Sequence, residues 1–185
     1  SGYAEMLKHG LISNTAHWVE LLNFNTSNID YTALKQLVGQ SVQVKEDIVE
    51  QDPFEHGIRK ALNLGHTVGH AFESMALAED RPVLHGYAVA WGIVCELYLS
   101  HLKVDFPKEK MRQTIQFIKD NYGVFTFDCK KYDQLYAFMT HDKKNTSGTI
   151  NFTLLKDIGD ICINQTANQD TIFEMLDFYR ECMGI

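Results

Sequence analysis

No run of lysine and arginine in this chain exceeds two residues, and acidic side chains outnumber basic ones by 24 to 17, for a formal net charge of -7. A general nucleic-acid binder neutralises phosphates with a basic face, so that class is set aside, although an anionic small molecule can still bind locally. Cys-x-x-Cys is also missing. Cys95, Cys129, Cys162 and Cys182 lie far apart, which removes thiolate zinc sites and dithiol redox motifs and leaves free thiols of a cytosolic protein as the expectation. The His-Glu-x-x-His of metalloproteases does not occur, and no Gly-rich loop follows a strand pattern to cradle a dinucleotide. The longest apolar stretch, roughly Leu84 to Leu102, is interrupted by His85, Glu96 and His101 and reads as a buried helix, not a membrane span. Leader, repeat, low-complexity segment and linker are all without a signature, so a cytoplasmic location with no membrane partner is expected.

What is present is enough apolar material, 45% of 185 residues, for one domain or two small lobes sharing a core. Helical signals dominate. Asn14-Thr15 is a candidate cap before an amphipathic run through Trp18, Leu21 and Leu22; Asp30 can cap Tyr31 to Val38, and Ser41 can cap a further helix through Val44 and Ile48. Pro53 ends that series. Helical periodicity returns from His85, from Pro107 to Asp120, from Lys131 to Thr140, and after Asn168 or Asp170. Between the last two, Thr149 to Leu155 and Ile161 to Ile163 flank Gly159 and predict a short β-hairpin. The fold class expected is mainly α with a small hairpin.

The chemistry concentrates in Leu62-Asn63-Leu64-Gly65-His66-Thr67-Val68-Gly69-His70-Ala71-Phe72-Glu73. On a helix, His66, His70 and Glu73 share one face while Val68, Phe72 and Met75 share the other. Gly65 and Gly69 each cost roughly 1 kcal/mol relative to alanine in a helix, so keeping both predicts close approach by a ligand or another backbone. Arg59 and Asn63 precede His66 at helical spacing, so a cation, an amide and an imidazole can project toward one cavity. A Lewis-acid zinc site commonly uses a His/His/carboxylate set with an open fourth position. His66, His85 and Glu5 can supply one, but spacing leaves Glu5-x-x-x-His9 and His66-x-x-x-His70 as rival pairs. Glu5 and Lys8, three apart, read by themselves as a surface ion pair. His17, His56, His101 and His141 read as surface or packing histidines.

Taken in order, Ser1-Gly2-Tyr3-Ala4-Glu5-Met6-Leu7-Lys8, Arg59 with Leu62 to Ala71, Leu84-His85-Gly86, and Asp142-Lys143-Lys144-Asn145 resemble the successive motifs of the 3-dehydroquinate synthase family. The resemblance implies its helical C-terminal domain across residues 1–185, with the N-terminal NAD-binding domain absent from this chain. It implies Glu5, His66 and His85 as ligands of Zn2+ or Co2+, His70 near the substrate phosphate and its proton transfers, and Lys8, Lys45, Arg59, Asn63 and Lys143 or Lys144, with Lys143 favoured, as substrate contacts. Lys8 and Lys45 share the catalytic role with His70. The implied reaction takes 3-deoxy-D-arabino-heptulosonate 7-phosphate to 3-dehydroquinate and phosphate in aromatic amino-acid biosynthesis, with NAD as cofactor and a homodimer as the full-length form. Other sugar-phosphate cyclases, or a non-catalytic helical metal-binding module, are the alternatives. Tyr87 stands where the family often carries Glu, a departure placed beside the metal's surroundings.

Overall fold

The computed structural model describes residues 1–142 and 148–185. Eight α-helices and one hairpin account for most of them: α1 (Gly2–Ser13), α2 (Thr15–Asn23), α3 (Tyr31–Gln51), α4 (His66–Ala78), α5 (His85–Val104), α6 (Lys108–Tyr122), α7 (Tyr132–Thr140), β1 (Asn151–Asp157), β2 (Asp160–Thr166) and α8 (Gln169–Met183). None of the helices is long and apolar enough to cross a membrane.

Local chemistry sets most boundaries. The side chain of Asn14 accepts from His17 N, that of Asp30 from Thr32 N and Ala33 N, and that of Asn168 from Thr171 N, so each first turn has a capped donor. Ser41, expected to start a helix, instead sits in the middle of α3. Its hydroxyl is bonded to His9 Nδ1 of α1, so a tertiary hydrogen bond, not a helix start, explains it. Residues expected to form one helix from Leu62 onward are divided. Ile58–Asn63 is a 3-10 segment, the chain turns at Leu64, and Gly65 adopts φ +80 before α4 begins at His66.

α5 is the central element, packed against α1, α4, α6, α8 and β1, and apolar on its inner faces except for the buried Glu96 and Ser100. Its closest neighbour is α4, whose Val68, Ala71, Phe72 and Met75 are buried as the helical pattern requires. At this crossing the backbones nearly touch. A Cβ placed on Gly92 would lie 2.0 Å from Gly65 O and 2.7 Å from Gly69 N. The other backbone anticipated for the paired glycines is thus α5.

The hairpin pairs Leu154 with Cys162 and Leu155 with Ile161, and it braces the segment leading into α4. Thr153 Oγ1 donates to Lys60 O at 2.6 Å, Thr67 Oγ1 to Asn151 O at 3.1 Å, and Leu155 N to Ser100 Oγ at 3.0 Å. Three bonds therefore tie the 3-10 segment, α4 and α5 to one strand. On the other side, burial pushes His9 down to about 4 and also lowers His17, so both enter the fold as neutral rings.

Two predictions follow from this packing. Gly92→Ala is expected to destabilise the fold by about 3 kcal/mol or more, because the methyl collides with backbone and no rotamer change relieves it; a urea midpoint equal to that of the wild type refutes the close approach. For His9 the folded value lies below the unfolded 6.5, so the unfolded chain takes up the proton first and stability falls as pH drops from about 6.5 to about 4. His9→Asn is expected to make urea midpoints measured across that window shallower in pH, and an unchanged slope counts against a buried neutral His9.

Candidate metal and substrate site

Three elements meet at the site. Glu5 comes from the first turn of α1, His66 opens α4, and His85 opens α5. The imidazole centroids of His66, His70 and His85 form a triangle with sides of 5.4, 5.3 and 6.0 Å. Glu5 Oε1 lies 3.4 Å from His66 Nε2 and 3.4 Å from His85 Nε2. That is longer than an ordinary hydrogen bond, and Oε1 is a buried oxygen with no hydrogen-bond partner.

The remaining ring nitrogens explain the orientation. His66 Nδ1 faces Leu64 O at 3.1 Å, and His85 Nδ1 faces both carboxylate oxygens of Glu73 at 3.1 Å. Acceptors opposite Nδ1 place the proton there in the neutral ring, which turns both Nε2 lone pairs toward Glu5 Oε1. Burial lowers the His66 value, outweighing the neighbouring Glu5 carboxylate that raises it, so this ring is neutral at pH 7. Burial alone would raise the Glu5 carboxyl, but the Lys8 ammonium holds it well below the usual range. Three lone-pair donors consequently converge within 4.8 Å of one another.

Such a set fits a divalent cation. Ligand arms of about 2.1 Å in a tetrahedron give ligand separations of about 3.4 Å, and the carboxylate oxygen and imidazoles are donors that zinc or cobalt accepts. Outer partners for the two rings, Leu64 O and Glu73, are the kind that fix ligand tautomers. His70, Glu73 and His85 form a second convergent group sharing His85. In that group Glu73 already bonds His85 Nδ1, and His70 Nδ1 faces Asp142 Oδ2 at 3.0 Å.

The other residues singled out in the sequence fall around this centre. Lys8, read as half of a surface pair, is buried and holds Glu5; the correction arises because one face of α1 is covered by the rest of the fold. Lys45 is exposed on α3 and shares with Glu5, Met6, His9 and Val42 a groove of about 850 Å³ between α1 and α3. Arg59 Nη1 donates to Pro53 O at 2.7 Å and Asn63 Nδ2 to Glu55 Oε1 at 3.2 Å, which ties both to the preceding loop. Lys143 and Lys144 lie outside the described residues. Tyr87 packs edge-on against Trp91 and Tyr122 at 6.0 and 5.0 Å. The carboxylate hydrogen-bonded to His85 Nδ1 is that of Glu73. Sequence reasoning put Glu73 on the histidine face without a role and named Asp142 only as the first residue of a family motif; the i+7 spacing from His66 was the signal for Glu73, whereas nothing in the motif points Asp142 at His70.

A mainly helical domain carrying a preformed His/His/carboxylate cluster at the meeting of three helix starts is the class that fold and site define. The chain belongs to the 3-dehydroquinate synthase C-terminal family, whose model matches residues 2–145. A 3-dehydroquinate synthase of Parabacteroides distasonis is 58% identical over 185 residues, all of this chain and 52% of that protein. One of Leptospira interrogans is 40% identical over 174 residues, 92% of this chain and 47% of that protein. The chain thus spans about half the length of the curated relatives it matches. Among solved structures, 2-epi-5-epi-valiolone synthase from Streptomyces hygroscopicus with NAD+ and Zn2+ bound superposes with a TM-score of 0.79 at 22% identity, over 97% of this chain and 50% of that one. A 2-deoxy-scyllo-inosose synthase complexed with carbaglucose-6-phosphate, NAD+ and Co2+ gives 0.75 at 21%, over 97% and 50%. At these identities the likeness is one of fold.

The tautomers are directly measurable. In metal-free protein at pH 7, ring nitrogen-15 spectra are expected to show the neutral Nδ1–H form for His66, with its titration midpoint below 6.5, and Nδ1–H in the neutral form of His85. Protons found on both Nε2 atoms would contradict the convergence of lone pairs.

Proposed function

We propose that this chain is the metal- and substrate-binding domain of a 3-dehydroquinate synthase, acting on 3-deoxy-D-arabino-heptulosonate 7-phosphate beside an N-terminal NAD-binding domain. The observation that carries the reading is the buried, unpartnered Glu5 Oε1 facing two imidazole lone pairs at 3.4 Å. Three acceptors aimed at one another repel unless a cation lies between them. Glu5, His66 and His85 would hold Zn2+ or Co2+, which when bound supplies a Lewis acid for substrate hydroxyl and carbonyl oxygens.

The chain's own groups then divide the remaining work. Lys8 neutralises the second Glu5 oxygen from a buried position, which keeps the carboxylate ionised and oriented. Lys45 faces the groove from α3 and provides a cation for an anionic substrate group. His70 donates Nδ1–H to Asp142, so its Nε2 is the atom able to take a proton and return it near a leaving phosphate. Arg59, Asn63 and Lys143 complete the substrate contacts in this reading. Hydride exchange belongs to NAD held by the other domain. A cytoplasmic location and a homodimer of full-length chains belong to the same reading.

Identities of 58% and 40% to proteins called 3-dehydroquinate synthase, against 21–22% to the other cyclases, favour this substrate over related ketose or aldose phosphates. The test uses the full-length protein. Wild type is expected to bind one Co2+ or Zn2+ and to release phosphate from the heptulosonate phosphate but not from sedoheptulose or glucose phosphates. His66→Ala and His85→Ala should abolish metal retention, whereas His70→Ala should keep the metal and lower kcat by roughly 100-fold or more. Full metal stoichiometry in the first two variants, or preference for another sugar phosphate, would overturn the assignment.

A further inference from the structure

Among the described residues Glu96 is the one acidic side chain in the buried class, with 0% exposure in the middle of α5. An acidic group at that depth is costly to keep unless it hydrogen-bonds to something that needs it. Its Oε2 accepts from Val68 N at 3.3 Å. Val68 is the third residue of α4, and its amide is among those that a helix N-cap side chain normally satisfies. α4 has no such side chain, because its N-cap is Gly65.

Gly65 cannot be exchanged for a capping serine or aspartate. Its φ is +80, and a Cβ there would lie 2.7 Å from Ile93 Cγ1 and 3.0 Å from Val89 O. The close approach of α5 that excludes a cap at position 65 also delivers a substitute. Gly92, which permits the approach, and Glu96 are four residues apart and so on one face of α5. We propose that Glu96 is a positioning residue for the metal centre, capping the first turn of α4 from across the helix interface and thereby fixing the backbone on which His66 is mounted. This inference rests on the metal reading above.

The route from Glu96 to the ligand is short. His66 is the first residue of α4 and its Nδ1 is bonded to Leu64 O, so the direction of Nε2 depends on the backbone from Leu64 to Val68. Thr67 is anchored by its bond to Asn151 O and Val68 by its bond to Glu96, one to the hairpin and one to α5. His85 starts the same helix that carries Glu96. One helix therefore presents a ligand directly and sets the frame of another.

The experiment measures Co2+ affinity of the full-length protein by competition with a chromophoric chelator, at a temperature where circular dichroism shows each variant folded. Glu96→Ala is expected to weaken Co2+ binding roughly tenfold or more, since it strands the Val68 amide. Glu96→Gln, whose amide oxygen still accepts from Val68, is expected to stay within about threefold of wild type. Leu135→Ala, buried in α7, whose entry is paired with the far end of α4 through Lys131 and Glu79, is expected to lower the melting temperature and leave affinity unchanged. If Glu96→Ala does not fold, Glu96→Asp, which withdraws the carboxyl group by one methylene, takes its place with the same expected weakening. Wild-type affinity in the folded Ala or Asp variant overturns the proposal, as does equal weakening by Leu135→Ala. A wild type that binds no Co2+ overturns the metal reading itself.

Discussion

The backbone contact between α4 and α5 at Gly65 and Gly92 is the constraint on which the site depends. Helices carrying ordinary side chains pack with axes 8–10 Å apart. Here the missing Cβ atoms bring main chain against main chain, and the start of α4 approaches α5 closely enough for a buried carboxyl to reach its amides. His66 and His85, nineteen positions apart, come within ring-contact distance as a result. The hairpin holds this arrangement from outside through Thr153 and Asn151, which explains a two-stranded sheet in an otherwise helical chain.

Electrostatics follow from the same crowding. Glu5 is brought against two rings whose outer nitrogens already have acceptors, and the Lys8 ammonium supplies its positive neighbour from within the fold. Burial favours the neutral His66 imidazole while Lys8 favours the ionised Glu5 carboxylate, so these two groups sit in the protonation states that metal binding requires. Glu5 Oε1 itself is buried without a hydrogen-bond partner.

Much of the fold can be read residue by residue. Asn14, Asp30 and Asn168 are caps because a short polar side chain satisfies the amides two or three residues on, and that information is local. The polar and apolar faces of α4 follow from 3.6-residue periodicity. Local rules failed at Ser41, where a residue with strong capping preference was claimed by His9 of another helix, and at Leu64-Gly65, where a helical pattern was broken by an αL glycine that α5 demands. Lys8 failed for a related reason: nothing near it in the chain states that α1 has its lysine face covered.

By itself, the sequence determined the residue types of the site, the order of the helices and, through resemblance, the family, and it singled out Glu5, His66 and His85 as the expected ligands. Those rest on local periodicity, capping chemistry and ordered motifs. Only the tertiary structure decided that the two Nε2 atoms face one carboxylate oxygen, that Glu73 and not a residue at position 87 stands beside His85, that Asp142 holds His70, and that Glu96 caps α4. Each of these is a contact between residues 12 to 80 positions apart, set by how closely two backbones can approach, and pair distances of that kind are a property of packing and not of any single stretch of chain.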